Sequence, residues 1–400
     1  MFSWFEKSLA PFPGDRADAP PKTLAAFCWY YARDAWPWLA AMSVVSAAIA
    51  VGEVMLFGFL GQLVDWLAAA NRETFLENEA TSLIAMGAVV LVGLPALILL
   101  SSLIIHQTLL GNLPMSARWR MHRLLLRQSL SFFSDEFAGR VATKVMQTSL
   151  AVRETVMKIL DIFVFVAVYF ISMLVLVASA DWRLAAPLLL WICVYAAIIW
   201  YFVPRLRDTS ERQADARSKM TGRIVDSYTN ITTVKLFAHA GREEAYAKDS
   251  MDGFLQTVHP QMRLVTAFQF CCYFNNSLVV FLVAGLSIWL WLGAAVSIGA
   301  IAVAVGLALR INGMSQWIMW EVSALFENIG VIHDGLSMLV KPVAVVDDAR
   351  AEPLTVSEGA VAFENLKFHY GKESGVIEDL SLEIAAGEKI GLVGRSGAGK

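Results

Sequence analysis

The chain has 400 residues, 57% hydrophobic and 17% charged, where a soluble protein holds roughly 45–50% and 25%. With a mean hydropathy of +0.56, the apolar surplus exceeds what a core of ordinary size hides, which excludes disorder, a collagen and a disulfide scaffold and points to a bilayer as the solvent. The net charge of −3 leaves no global basic field, so nucleic acid is not an expected partner. Cys28, Cys193, Cys271 and Cys272 have no metal-ligand spacing and read as small hydrophobes, so no metal site is expected.

Residues 1–34 begin with a mixed, Pro-containing stretch that lacks a secretory signal pattern. Phe27, Trp29, Tyr30 and Tyr31 follow, flanked by Lys22 and Arg33. Aromatic rings beside basic residues suit the headgroup layer, so an interfacial helix is expected; a cytoplasmic amphipathic helix is the alternative.

A membrane-spanning helix needs about 20 apolar residues, since roughly 30 Å of hydrocarbon is crossed at 1.5 Å per residue. Six stretches qualify: about 35–64, 83–106, 160–180, 184–204, 265–292 and 299–320. The last two arise from one uncharged run, 264–309, which is too long for a single span and is expected to break at 293–299. The connections are unequal. Residues 106–158 carry eight Lys and Arg and residues 205–263 carry ten, whereas the turn at 65–79 holds one Arg against four acids. The positive-inside rule places both long connections and both termini in the cytoplasm. These connections are too long for structureless loops, and mixed charge at helical spacing reads as helix extending from the membrane. One tip is expected at 132–140, broken at Gly139, and the other near 218–223, broken at Gly222.

Charges at membrane depth are costly and are functional candidates by default. Glu53 lies in span 1, and Arg310 and Glu321 lie in span 6. The last two are 11 residues apart, which returns to within about 20° of one helix face. They are candidates for a substrate cavity, with structural pairing, or for Glu321 exposure near the cytoplasmic end, as the alternative. Asn275, Asn276 and Asn312 read as hydrogen bonds between helices.

After residue 340 the hydropathy falls. Residues 341–358 read as a linker. Residues 361–370 and 376–384 then alternate like strands, 385–388 make a turn, and 389–393 form a short apolar run. Gly394-Arg395-Ser396-Gly397-Ala398-Gly399-Lys400 fits G-x-x-x-x-G-K, the phosphate-binding loop. Its glycines let backbone N–H groups curl around phosphate oxygens, and Lys400 supplies a mobile charge.

The chain as a whole resembles an ATP-binding-cassette exporter of the half-transporter type. The resemblance rests on residues 22–24 with the aromatics after them, on Phe132-Phe133 before Gly139-Arg140, on Thr233-Val234-Lys235-Leu236-Phe237 with Gly241-Arg242-Glu243-Glu244, and on the approach to the phosphate loop at 387–394. It implies a mainly α membrane protein. Residues 35–340 would form the six-helix exporter-type transmembrane domain with long cytoplasmic helix extensions. Residues 359–400 would be the β-rich start of a P-loop α/β ATPase domain. It also implies that Tyr370 stacks on adenine, though a strand-end aromatic is the plain alternative, and that Gly394, Arg395, Ser396, Gly397, Ala398, Gly399 and Lys400 hold the phosphates of ATP. Phe133, Glu136, Gly139 and Arg140 match one coupling helix. Ser218, Met220, Thr221, Gly222 and Arg223 match the other. The Mg²⁺ ligands, the signature sequence, the catalytic glutamate and the switch histidine would lie beyond residue 400. No catalytic residue is therefore expected here, and these residues alone are not expected to hydrolyse ATP. The implied function is ATP-driven export of a hydrophobic or amphipathic, drug- or lipid-like substrate by alternating access. Its partners would be membrane lipid and a second half-transporter, a homodimer or a heterodimer, in a bacterial inner membrane. A catalytically inactive regulator or channel on the same frame is the alternative.

Overall fold

The computed structural model describes residues 2–14, 19–69, 73–136, 138–237, 240–345, 350–356, 358–369 and 377–394. The chain divides into two compact units, Met1–Val343 and Ala344–Lys400.

The first unit is helical. A short helix α1 (Phe2–Lys7) and a second, α2 (Leu24–Ala32), precede α3 (Trp36–Ala69). Span 2 is one helical stretch made of α4 (Phe75–Ala88), α5 (Leu94–Ser102) and α6 (Leu110–Leu125), joined by wide π-turns at Val89–Gly93 and Leu103–Leu109. After a small helix α7 (Leu130–Asp135), α8 (Ala138–Met157) and α9 (Phe163–Ala180) form span 3 around a third π-turn, Lys158–Ile162. Then come α10 (Ala185–Thr229), α11 (Ile231–Leu236), α12 (Ala240–Leu292) and α13 (Ile298–Leu339). Among the described residues, six helical stretches are thus long and apolar enough to cross a membrane, in the order expected.

The irregularities have local causes. Pro95 stands at the start of α5, directly after a π-turn, because its ring has no N–H and clashes with the carbonyl four residues back. Pro114 in α6 likewise leaves the Leu110 carbonyl without its usual donor. Arg153 of α8 supplies one, its Nη1 lying 2.9 Å from that oxygen. The π-turn at 158–162 frees a carbonyl too, and Ser43 of α3 donates to Leu160 O.

Three apolar clusters hold the bundle. The membrane cluster joins Ala50 and Val54 of α3 to Tyr169 and Met173 of α9, Leu188 and Trp191 of α10, Val279 and Val283 of α12, and Leu307 and Ile311 of α13. A second cluster gathers Phe27 and Tyr31 with Met121, Val145, Val152, Ile332 and Leu339. The third packs Phe5 and Leu9 against Leu39, Met42, Leu103 and Leu109. Phe27, Tyr30 and Tyr31 therefore face inward, while Trp29 stays exposed. The short helix α1 was not evident in the sequence, since six residues give no readable period; Phe5 buries it against span 2, and Thr108 Oγ1 donates to Phe5 O at 3.1 Å.

Without a hydrophobic drive between helices in lipid, close backbone approach and buried polar contacts hold spans together. Spans 1 and 6 cross at Gly61 and Gly299. A Cβ on Gly299 would lie 2.1 Å from Gly61 O. Asp65 fastens the same crossing: Ser297 Oγ and Gly299 N each donate to its carboxylate at 2.7 Å, at the start of α13. Deeper in, Asn276 Nδ2 donates to Asn312 Oδ1 (3.1 Å) and Ser315 Oγ (2.8 Å), while its Oδ1 accepts from Trp191 Nε1 (2.8 Å). Asn275 donates to Trp191 O. The expected polar contacts between helices are present.

Two expected tips differ. The first lies at α7, as anticipated, but its break is at Glu136, which is extended (φ −117, ψ 130); Gly139 sits within the first turn of α8. The second is displaced. Helix α10 runs through Gly222 to Thr229, and the reversal uses α11 instead. Ser218, Met220, Thr221, Gly222 and Arg223 are thus mid-helix. One Gly in a helix costs only about 1 kcal/mol, and Arg223 secures this stretch to α12 through Ser250 Oγ (2.7 Å), Asp249 Oδ2 (3.2 Å) and the Tyr246 ring (4.4 Å).

In the second unit, β1 (Val361–Phe368) pairs antiparallel with β2 (Ile377–Ile384), Val361 opposite Ile384 and Phe363 opposite Leu382. Irregularities beside Asn365 and Asp379 fall where these residues take positive φ, 49° and 61°, a conformation Asn and Asp tolerate better than most. Gly387 (φ 75°) allows the turn after β2, where Glu388 N donates to Ala385 O at 3.0 Å. The apolar run 389–393 is not a strand. A strand exists only by pairing, and no described segment pairs with it.

Candidate functional site

Three sets of residues were expected to act: intramembrane charges, cytoplasmic tips and the phosphate loop. The charges form two ion pairs rather than one stripe. Arg310 of α13 reaches Glu53 of α3, Nη2 to Oε2 3.1 Å, with the side chains 49% and 32% exposed. Glu321, roughly 16 Å further along α13 by helical rise, pairs instead with Lys158 in the π-turn of span 3, and both are largely enclosed. Glu321 is therefore a structural partner to span 3, whereas Arg310 and Glu53 form an accessible pair. Pairing is required because an isolated charge at this depth is expensive. Beside Lys158, Asp161 accepts a hydrogen bond from Ser46.

Around these charges α13 presents Trp317, whose ring centre lies 6.0 Å from that of Phe165 on α9. Gly306 keeps α13 close to Phe57, whose ring carbon would meet a Cβ at 3.1 Å. Two pockets lie elsewhere. One, about 280 Å³, opens between spans 1, 3 and 6 beside Asp65. The other, about 410 Å³, lies on the long helical extensions of spans 2 and 3 and is lined by Arg118, Trp119, His122 and Phe133 among others. Neither is lined by Glu53, Arg310 or Glu321.

The first tip is tied to the end of span 6. Lys341 Nζ lies 3.2 Å from Glu136 Oε1 and 5.5 Å from the centre of the Phe132 ring, and its carbonyl accepts from Gln128 Nε2 at 2.9 Å. Arg140 stands 3.6 Å from the other Glu136 oxygen. The Lys341 hydrogen bond, aided by the charges of Lys341, Arg140 and Lys144, holds the Glu136 carboxyl below its ordinary range. Phe133, on the same small helix, is half-exposed. Lys341 is the residue that sequence reasoning missed; a lysine directly before Pro342, where hydropathy falls, was the available signal.

Of the phosphate loop, Gly394 is exposed in the second unit, and Arg395, Ser396, Gly397, Ala398, Gly399 and Lys400 lie outside the described residues, as does Tyr370. Among the described residues, no cluster of His, Cys, Asp and Glu is suited to a metal ion.

Residues 39–313 match the family model of the ABC transporter transmembrane region. An uncharacterized ABC transporter ATP-binding protein of Haemophilus influenzae is 47% identical over 402 residues, covering all of this chain and 65% of that protein. An ATP-dependent lipid A-core flippase of Methylobacillus flagellatus is 27% identical over 285 residues, covering 70% of this chain and 47% of that protein. The chain thus spans two thirds of the first relative at most and about half of the second. A solved bacterial Atm1-family ABC exporter with ATP bound shares the fold, with a TM-score of 0.61, 15% identity, and coverage of 88% of this chain and 61% of that one.

Proposed function

Since the chain belongs to the ABC transporter family, with the six-helix membrane domain of its exporters, we propose that it is the membrane-spanning half, with the first strands of the nucleotide-binding half, of an ATP-driven exporter acting as a dimer. The observation that carries this reading is a single arrangement: six spans with two long helical tips, then a strand pair, then G-x-x-x-x-G-K at 394–400. The donor set of that loop, three glycines and a lysine, fits the phosphates of a nucleotide.

Binding and hydrolysis of ATP supply the free energy when nucleotide is present. The chain's residues convert it by position. Phe133 and Glu136 at the first tip, with Gly139 and Arg140 beside it, carry motion into spans 2 and 3. The extended α10–α12 hairpin, reversed at α11, carries it into spans 4 and 5. Residues 218–223 contribute by stiffening that hairpin through Arg223. Glu53 and Arg310 face the transported molecule, whose hydrophobic or amphipathic character suits the apolar walls. Mg²⁺ would be held by residues outside this chain. The charge bias of the connections supports cytoplasmic termini, and the bacterial source of the relatives supports a bacterial inner membrane.

The test uses the protein with its complete nucleotide-binding domain in liposomes. Lys400→Ala should abolish ATP turnover and efflux. Turnover that survives the substitution, or its absence from the unsubstituted protein, overturns the proposal.

A further inference from the structure

The Glu53–Arg310 pair has three properties that together restrict what can bind to it. It lies deep: Glu53 is near the middle of α3 (Trp36–Ala69), and Arg310 is 12 residues, about 18 Å of helix, from Ile298 at the start of α13. It is accessible, at 49% and 32% side-chain exposure, whereas the Lys158–Glu321 pair is 13% and 12% exposed. It is also balanced, one cation against one anion, held by a single 3.1 Å contact between helices that are packed independently at Gly61 and Gly299. The pair can therefore open without unlocking the helices.

The electrostatic consequence follows from the cost of an uncompensated charge at this depth. An anionic ligand taking Arg310 would strand Glu53. A cationic ligand taking Glu53 would strand Arg310. A ligand carrying both charges replaces each partner and strands neither. The Tyr169 side chain interacts with both charges, and its ring leads through Phe165, 5.9 Å away between ring centres, to Trp317, 6.0 Å further on. Such a wall suits an apolar body below a charged head.

We propose that Glu53 and Arg310 form a head-group site for a zwitterionic amphiphile, its anion on Arg310 and its cation on Glu53. That this ligand is cargo rests on the exporter reading above; that it binds does not.

Binding is measured at equilibrium, without nucleotide, on the whole protein in nanodiscs, through quenching of tryptophan fluorescence. The probes are a lysophosphatidylcholine (zwitterionic), a lysophosphatidylglycerol (anionic) and an alkyltrimethylammonium (cationic) of one chain length, with glycerophosphocholine as the chainless zwitterion. The unsubstituted protein should favour the zwitterionic amphiphile by about tenfold over either singly charged probe, the ratio that ~1.4 kcal/mol gives. Glycerophosphocholine should bind weakly. Glu53→Gln should turn the preference to the anion and Arg310→Gln to the cation. Opposite gains of affinity cannot come from misfolding. A preference that stays the same in both variants, or equal binding of all charge types, overturns the proposal and leaves the pair a helix latch. Strong binding of glycerophosphocholine would overturn the amphiphile part alone. Failure of the exporter reading would instead show as absent turnover with this selectivity intact.

Discussion

Gly299 can be no other residue. Its Cβ would meet the Gly61 carbonyl at 2.1 Å and the Asp65 carboxylate at 2.5 Å, both parts of a rigid crossing. Gly299→Ala should lower the unfolding temperature in detergent, by an overpacking penalty of about 1–3 kcal/mol. Gly313→Ala, where nothing lies within 4 Å, should be neutral or slightly stabilising in the same assay. A second residue-scale dependence joins Arg153 to Pro114, since the guanidinium serves the carbonyl that the proline leaves vacant. Arg153→Met should cost about 1 kcal/mol, the net worth of one hydrogen bond at a solvent-reachable acceptor. Pro114→Ala restores the backbone donor, so the same Arg153 substitution should cost less in that background. Equal costs in the two backgrounds, read by a double-mutant cycle of unfolding midpoints, would refute the link. Little of this was legible in the sequence. Pro114 announces an orphan carbonyl, but nothing in a linear chain says that a residue 39 positions on will reach it. Glu53 and Arg310 were legible as costly charges, because depth follows from hydropathy; their pairing, and the separation of Glu321 to Lys158, required the helix azimuths that only packing fixes.

At the scale of elements, α7 and the end of α13 act as one piece through Glu136 and Lys341. The lysine lowers the Glu136 carboxyl below its usual 4.5. The sign follows directly: with the folded-state value depressed, the latch contributes fully above the ordinary carboxylate range and is lost as pH falls through the depressed value. Lys341→Met should move the Glu136 titration upward towards 4.5, as read by infrared titration against Glu136→Gln. An unmoved titration would show that Arg140 and Lys144, not Lys341, set it. Glycine proved a poor guide to where these elements end. At Gly139 and Gly222 the helix continues, since a cost near 1 kcal/mol is outweighed by flanking contacts; the chain turns at Glu136 and around α11, where no glycine marks it. The apolar run at 389–393 stays outside any strand, because a strand depends on a neighbour and composition cannot supply one.

For the whole molecule, the six spans were the most legible feature, because a bilayer imposes one length on every crossing and composition reports it. The chain divides into its two compact units at Val343 and Ala344, close to where hydropathy falls. What the sequence hid was how far span 4 carries on. Helix α10 has 45 residues, about 68 Å at 1.5 Å per residue, against roughly 30 Å of hydrocarbon. Nearly 40 Å of it therefore stands clear of the hydrocarbon, braced by α12 and ending at α11. That geometry sets a mechanical ratio. A tilt of about 10° where the hairpin meets the membrane sweeps α11 through about 7 Å. Run the other way, a push of a few ångströms at α11 is geared down to a rotation of a few degrees among the spans, small in distance but multiplied in force.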